Sequence, residues 1–229
     1  MYTDINSIIP VLESRGYKVN NPWDVVDAFE RMIASYAGSK YAVSIDSCTN
    51  SMFLCLKWLN ASGRICIPSC TYVSVAQAII HAGCSVDFRE IEWSGTYRLD
   101  PYPIVDGATR FTKGMYDPGT YHCLSFHIKK ILPIGKGGMI LTDDLEAVKW
   151  FKKARYEGRD ISKNYENDNI EIIGWNMYMP PEQAAYGIQK FIELPEYNKD
   201  CGGSTRYHDL RRHEIFKNSC TDSAIKGKI

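Results

Sequence analysis

The reading is decided by SFHIKKILPIGKGGMILT, residues 125–142. The apolar run from His122 to Phe126 and the one from Met139 to Thr142 read as strands, so the residues between them form a loop held at both ends. Ser125 offers a hydroxyl, Lys130 an amine, and Gly135, Gly137 and Gly138 let the backbone close tightly around something small. A lysine can condense with an aldehyde to a Schiff base, so the set suits a phosphorylated aldehyde. An ordinary solvated turn is also rich in glycine and lysine, and the neighbouring segments have to decide between the two.

With 229 residues the chain is long enough to bury a sizeable core as one domain, at most with a small appendage. Lys plus Arg (27) equals Asp plus Glu (27), so no net field draws the molecule to nucleic acid or an anionic membrane, and a small-molecule partner is expected. The start of the chain has no basic, apolar leader, and no run approaches the roughly 18 apolar residues that span a bilayer. A cytoplasmic protein is expected. Its eight cysteines are irregularly spaced and lack any C-x-x-C pair, which favours buried free thiols and no metal site.

Outward from the loop the chain reads as alternating strands and helices. After a polar lead-in, residues 21–38 place Val25, Val26, Phe29, Met32, Ile33 and Tyr36 on one helical face, with Pro22 near the start and Gly38 past the end. Residues 41–45 read as a buried strand, and DSCTNSMFLCLKWLN (46–60) as a turn opening into a helix. RICIP (64–68), a second turn and helix closed by Gly83, and SVDFREI (85–91) repeat the pattern. A turn-rich stretch from Glu92 to Tyr102 leads to a short strand ending in Asp106. Beyond the glycine loop come a helix from Leu145, a polar loop at 158–173, and a helix opening at Pro180 or Pro181. The pattern predicts an α/β fold, a three-layer αβα sandwich around a mostly parallel mixed sheet.

Three strand ends then matter together: residues 46–49, Asp106, and residues 125–130. Amides at a helix start carry partial positive charge and lack internal partners, so Cys48, Thr49 and Asn50 form a seat for a phosphate, with the Thr49 hydroxyl as a further donor, and Ser125 could also reach it. Asp106, at the carboxyl edge of the sheet, could pair with a protonated ring nitrogen. Tyr72, at the mouth of its helix, could lie over a ring. Without a ligand, Ser47 and Thr49 are ordinary N-caps, Asp106 caps a loop, and Tyr72 is core.

Taken together, these segments resemble the DegT/DnrJ/EryC1/StrS aminotransferases, pyridoxal-phosphate enzymes of fold type I that mostly aminate nucleotide-linked keto-sugars. DSCTNS stands where the family has Ser-Ser-Gly-Thr, and IPSCTYVSVAQAIIHAG resembles its Pro-Ser-Phe-Thr-Phe segment. VDGA resembles its Glu-Asp-Ala-Ala, and SFHIKKILPIGKGG its Ser-Phe-His-Pro-x-Lys loop followed by Gly-Glu-Gly-Gly. ARYEGRD and GWNMYMPPEQAAYGIQ resemble two later motifs. The resemblance implies pyridoxal 5'-phosphate as cofactor, Lys130 as its Schiff-base lysine and Asp106 as its ring-nitrogen partner. It puts Ser47, Cys48, Thr49, Tyr72, Thr109 and Ser125 around the cofactor. Asn176 would reach the phosphate in a neighbouring subunit, which implies a homodimer with shared sites.

The implied reaction moves an amino group from an amino acid donor to a keto or keto-sugar acceptor. Two other outcomes stay open on the same cofactor, racemisation or elimination of a small amino acid, and a binding subunit without turnover. The departures from the pattern are Cys48 for a glycine, Thr109 for a glutamine, Tyr178 for an arginine, and the compression of a strand and helix into EIEWSGTYRLDPY. The resemblance thins near Leu194, so residues 1–194 are expected to form the compact cofactor-binding domain. Residues 195–229 are expected to form a residual tail with at most one helix.

Overall fold

The computed structural model describes residues 4–217. Helices α1 (Ile5–Ser14) and α2 (Trp23–Ala37) lead into β1 (Tyr41–Ile45), α3 (Cys48–Trp58), β2 (Arg64–Pro68), α4 (Val73–His81) and β3 (Ser85–Arg89). Then follow β4 (Tyr97–Arg98), β5 (Ile104–Asp106), β6 (Tyr121–Ser125), β7 (Gly138–Thr142), α5 (Leu145–Ala154), α6 (Pro181–Ile192) and α7 (Glu214–Lys217). Cys220 and the rest of the expected tail beyond residue 217 lie outside the described residues.

The strands form a five-stranded sheet in the order β1-β7-β6-β5-β4 and a separate β2-β3 pair. A bridge between Cys66 and Asp100 joins the two, Cys66 donating its N–H to Asp100 O at 2.7 Å. The expected mostly parallel sheet is corrected here. Parallel pairing holds for β5 with β6 and β2 with β3, but β1–β7, β7–β6 and β4–β5 are antiparallel. A parallel return needs a crossover of a dozen or more residues, usually a helix. The glycine loop at 126–137 and the 99–103 connection, at the end of the compressed segment, contain no helix, so each folds back as a hairpin.

Strand residues alternate between two apolar layers. Val43, Ile45, Cys123 and Ile140 face the layer built with α3, α4 and α5, whereas Ala42, Leu124, Met139 and Leu141 face the layer of α1, α2 and α6. The three-layer architecture follows from this alternation. Helix α2 buries Val25, Val26, Phe29, Met32 and Ile33 as its spacing predicts. Each such side chain contributes about 1.5–3 kcal/mol when taken out of water.

Helix α1 falls in the stretch that reads as a polar lead-in. Asp4 caps it by accepting from the Asn6 amide at 3.0 Å, and it buries only Ile8 and Leu12. With Pro10 inside it and so few apolar positions, its pattern in the sequence is faint. The chain at 204–217 makes two single 3-10 turns and the short α7, and Phe216 packs on Phe88 with ring centroids 5.5 Å apart.

A buried ionic knot ties α2, β1 and the end of α5 together. Glu30 accepts from the Ser44 amide and hydroxyl, both at 2.9 Å, and from Arg155, whose guanidinium also donates to Ser44 O at 2.7 Å. Lys152 adds a second cation 3.3 Å from Glu30. Burial alone would raise the Glu30 carboxyl, but the two cations and the Ser44 amide overcome it and hold it below its ordinary value.

Candidate active site

The carboxyl ends of β1, β5 and β6 bring the expected groups to one edge of the sheet. Ser47 is the N-cap of α3, its hydroxyl accepting from the Asn50 amide at 3.2 Å. Among the described residues, the next two amides, Cys48 and Thr49, donate to no protein group. Gly138, at the end of the glycine loop, pairs with both Ile45 and Ser125. A Cβ there would lie 2.3 Å from the Ser47 carbonyl carbon and 2.5 Å from the Cys48 nitrogen, so only glycine lets the loop seat against the start of α3. That contact brings Ser125 toward the anion seat.

One acid stands beside the seat. Asp46 accepts from Asn50 Nδ2 at 2.7 Å, from Ser47 Oγ at 3.2 Å and from Lys136 Nζ at 2.9 Å. The charge of Lys136 thus offsets that of Asp46 beside the start of α3. Thr49 shares a hydrogen bond with Ser74 of α4 at 2.7 Å.

Asp106 ends β5 and is only 6% exposed. Its Oδ1 accepts from the Ala108 amide at 2.8 Å and its Oδ2 from the Tyr97 hydroxyl at 2.7 Å. Burial pushes this carboxyl above its ordinary value, while the Tyr97 and Ala108 hydrogen bonds and the Lys130 charge oppose the rise. Lys130 therefore lies within electrostatic reach of Asp106, and of Cys48 as well. Its amine makes no hydrogen bond or ion pair among the described residues. The Cys48 thiol is buried, and burial together with the Asp106 charge pushes it well above the usual thiol range.

Gly107 gives way to a neighbour. A Cβ there would meet His122 Nε2 at 2.4 Å, so a buried histidine fills the space that a larger residue would need. His122 finds no partner for either ring nitrogen among the described residues, and burial pulls it down to about 4, so it is neutral near pH 7.

Tyr72 caps the mouth of α4 with its ring 60% exposed. Its edge meets Tyr207, which stacks on Trp93 at 5.8 Å and 21°, and Trp93 meets Tyr97 at 4.7 Å. This aromatic row runs from Tyr72 to the acid. Two expected residues are engaged elsewhere. Thr109 is buried and its hydroxyl is shared between Gly95 O at 3.0 Å and Gly202 O at 3.2 Å, so it ties two loops together. Asn176 is exposed and donates to Glu157 at 3.0 Å.

Thr71, Trp93, Tyr97 and Tyr207 are the residues that the sequence does not single out. Tyr97 carried a signal, an aromatic two before Leu99 in an apolar alternation, but the turn-rich setting obscures it. Among the described residues, no group of three or more His, Cys, Asp or Glu side chains could hold a metal ion, and no helix is long and apolar enough to cross a membrane. The seven cysteines among them are free, three only partly buried.

A model of the DegT/DnrJ/EryC1/StrS aminotransferase family matches residues 4–117 and 116–201. The chain is 25% identical to the spore coat polysaccharide biosynthesis protein SpsC of Bacillus subtilis, the match covering 86% of this chain and 63% of that protein. It is 24% identical to the GDP-perosamine synthase of Caulobacter vibrioides, over 74% of this chain and 57% of the relative. The chain thus spans about three fifths of the length of these curated relatives. Among solved structures it is similar to the sugar aminotransferase CalS13 of Micromonospora echinospora, with a TM-score of 0.63 at 14% identity, covering 84% of this chain and 66% of that one. It is also similar to 3-amino-5-hydroxybenzoic acid synthase, with a TM-score of 0.64 at 17% identity over 85% of this chain and 62% of that one. Identities this low speak to the fold alone.

Proposed function

The chain belongs to the DegT/DnrJ/EryC1/StrS aminotransferase family, and from that premise we propose that it binds pyridoxal 5'-phosphate and transfers an amino group from an amino acid to a keto group, the acceptor being a nucleotide-linked sugar. The reading is carried by one observation. A buried carboxylate, Asp106, and a lysine with no ion-pair partner among the described residues, Lys130, share one electrostatic neighbourhood beside the open amides of α3.

The residues fit such a cofactor. The Cys48 and Thr49 amides, with the hydroxyls of Ser47, Thr49 and Ser125, would hold the phosphate, since a helix start favours an anion. Asp106 would face the ring nitrogen and hold a proton there. Tyr72 would cover one face of the ring. Bound pyridoxal phosphate supplies the electron sink that stabilises a carbanion.

Lys130 has two tasks. Its Nζ would be the group that holds the cofactor, its amine condensing with the aldehyde with loss of water. When free, the same Nζ would take a proton from the substrate carbon and return one, acting as base and then acid. Thr109, whose only proton is committed to two carbonyls, would contribute the backing of the site. The names of the curated relatives, which point to polysaccharide and amino-sugar synthesis, favour a sugar acceptor over a small keto-acid.

The test is a visible absorption spectrum of the protein with added pyridoxal phosphate, then borohydride reduction and peptide mapping. A new absorption band and a label on Lys130 are expected, with both lost in Lys130→Ala. A label on Lys129 or Lys136 would remove the assignment, and a protein that stays colourless would remove the function.

A further inference from the structure

We propose that Tyr97 is a positioning residue for Asp106: held by Thr71, its hydroxyl donates to Asp106 Oδ2 and keeps this buried carboxylate ionised, ready to hold a proton on the cofactor ring. This inference rests on the functional reading above and adds a residue to it.

The register of the sheet makes the contact. Strands β4 and β5 are antiparallel with Tyr97 directly opposite Asp106, so the two side chains leave the same face, and a slip of one residue would turn the phenol away. Tyr97 has one proton. That proton goes to Asp106 at 2.7 Å, so the 2.6 Å contact with Thr71 Oγ1 must run with Thr71 as donor. The result is a directed chain, Thr71 to Tyr97 to Asp106, entirely within buried side chains. A carboxylate shut away from water is costly to ionise, and each hydrogen bond that it accepts lowers the cost.

The groups facing Asp106 come from every side. Tyr97 of β4, Cys48 of α3, Cys123 of β6 and Tyr207 of the 204–207 turn all sense its charge, and Lys130 of the glycine loop contributes the positive charge. Burial raises both thiols and both phenols above their ordinary values, so near pH 7 they stay neutral and cannot replace the hydroxyl's contribution by a charge. Removing the Tyr97 hydroxyl leaves Ala108 N–H as the remaining donor to the carboxylate among the described residues.

The experiment uses the full chain without cofactor, labelled with carbon-13 at the aspartate carboxyl carbon and followed by NMR against pH; Asp106→Asn identifies the resonance. In Tyr97→Phe the Asp106 midpoint is expected to rise by about one pH unit, the scale of one lost hydrogen bond to a charge. Thr71→Val should move it the same way by less, and the double variant should match Tyr97→Phe alone. Thr71→Val also serves if Tyr97→Phe fails to fold. With pyridoxal phosphate added, the acid limb of its dissociation constant against pH should move in parallel. A midpoint unchanged or lowered in either variant overturns the role of Tyr97. Wild-type protein that takes up no pyridoxal phosphate overturns the functional reading instead, whatever the NMR midpoint does.

Discussion

At Gly138 a single hydrogen atom decides whether the glycine loop can seat against the start of α3. The methyl of an alanine there would overlap the backbone of Ser47 and Cys48, which cannot rotate aside as a side chain might. The loop would have to lift from α3, taking Ser125 with it. Gly138→Ala should therefore weaken pyridoxal-phosphate binding at least tenfold, about 1.4 kcal/mol, in a fluorescence titration. Overpacking of this kind costs about 1–3 kcal/mol of stability, so the melting temperature should fall by several degrees while the far-ultraviolet circular dichroism is kept. Unchanged affinity would mean that the seat is not where the phosphate binds.

Among the elements, the knot of Glu30, Ser44 and Arg155 holds a helix layer to the first strand. Arg155→Met leaves Glu30 buried with Lys152 as its remaining cation, a loss of about 3–5 kcal/mol in urea denaturation at pH 7. The pH dependence follows from the direction of the Glu30 shift. A carboxyl held below its ordinary 4.5 contributes stability that is fully present above that value. The contribution is lost as pH falls below 4.5 toward the lowered folded value, so Glu30→Gln should flatten the acid limb of stability against pH. An equally steep limb in the variant would assign the acid sensitivity to other groups.

Much of this level was legible in the sequence. Helix α2 announces itself through one apolar face between Pro22 and Gly38, and α3 through a serine cap that directly follows an apolar strand. The end of β5 at Asp106 and the loop carrying Lys130 follow from equally local patterns. Contacts made at a distance were not legible. Tyr97 matters because register sets it opposite Asp106, and the Thr109 hydroxyl is taken up because Gly95 and Gly202 claim its proton. Strand direction was misread for a related reason: whether a connection crosses over or doubles back depends on a helix that the compressed segment does not contain.

For the whole molecule, the exposed position of Asn176 bears on assembly. On the family reading it would serve a neighbour's site, and within its own chain its side chain is engaged by Glu157. The family reading therefore gives a complementation test. Lys130→Ala and Asn176→Ala proteins, each impaired alone, should regain activity when unfolded together and refolded as a mixture. Half of randomly formed dimers are mixed, and each has one intact site, so about a quarter of wild-type activity is expected. No recovery would mean that Asn176 acts within its own chain, or that the sites are not shared.

The tie at Thr109 has a consequence for where this polypeptide can be shortened. Its hydroxyl, the paired bonds from Arg110 to Asp200 at 2.9 and 2.7 Å, and the stacking of Tyr207 on Trp93 fasten residues 200–207 onto Trp93, just ahead of β4, and onto the segment that follows β5. Family-like motifs fade near residue 194, and a cut there would look harmless on paper. In the folded molecule it would strip the lining behind the buried acid, leave a guanidinium unmatched and let solvent reach a phenol that works only while dry.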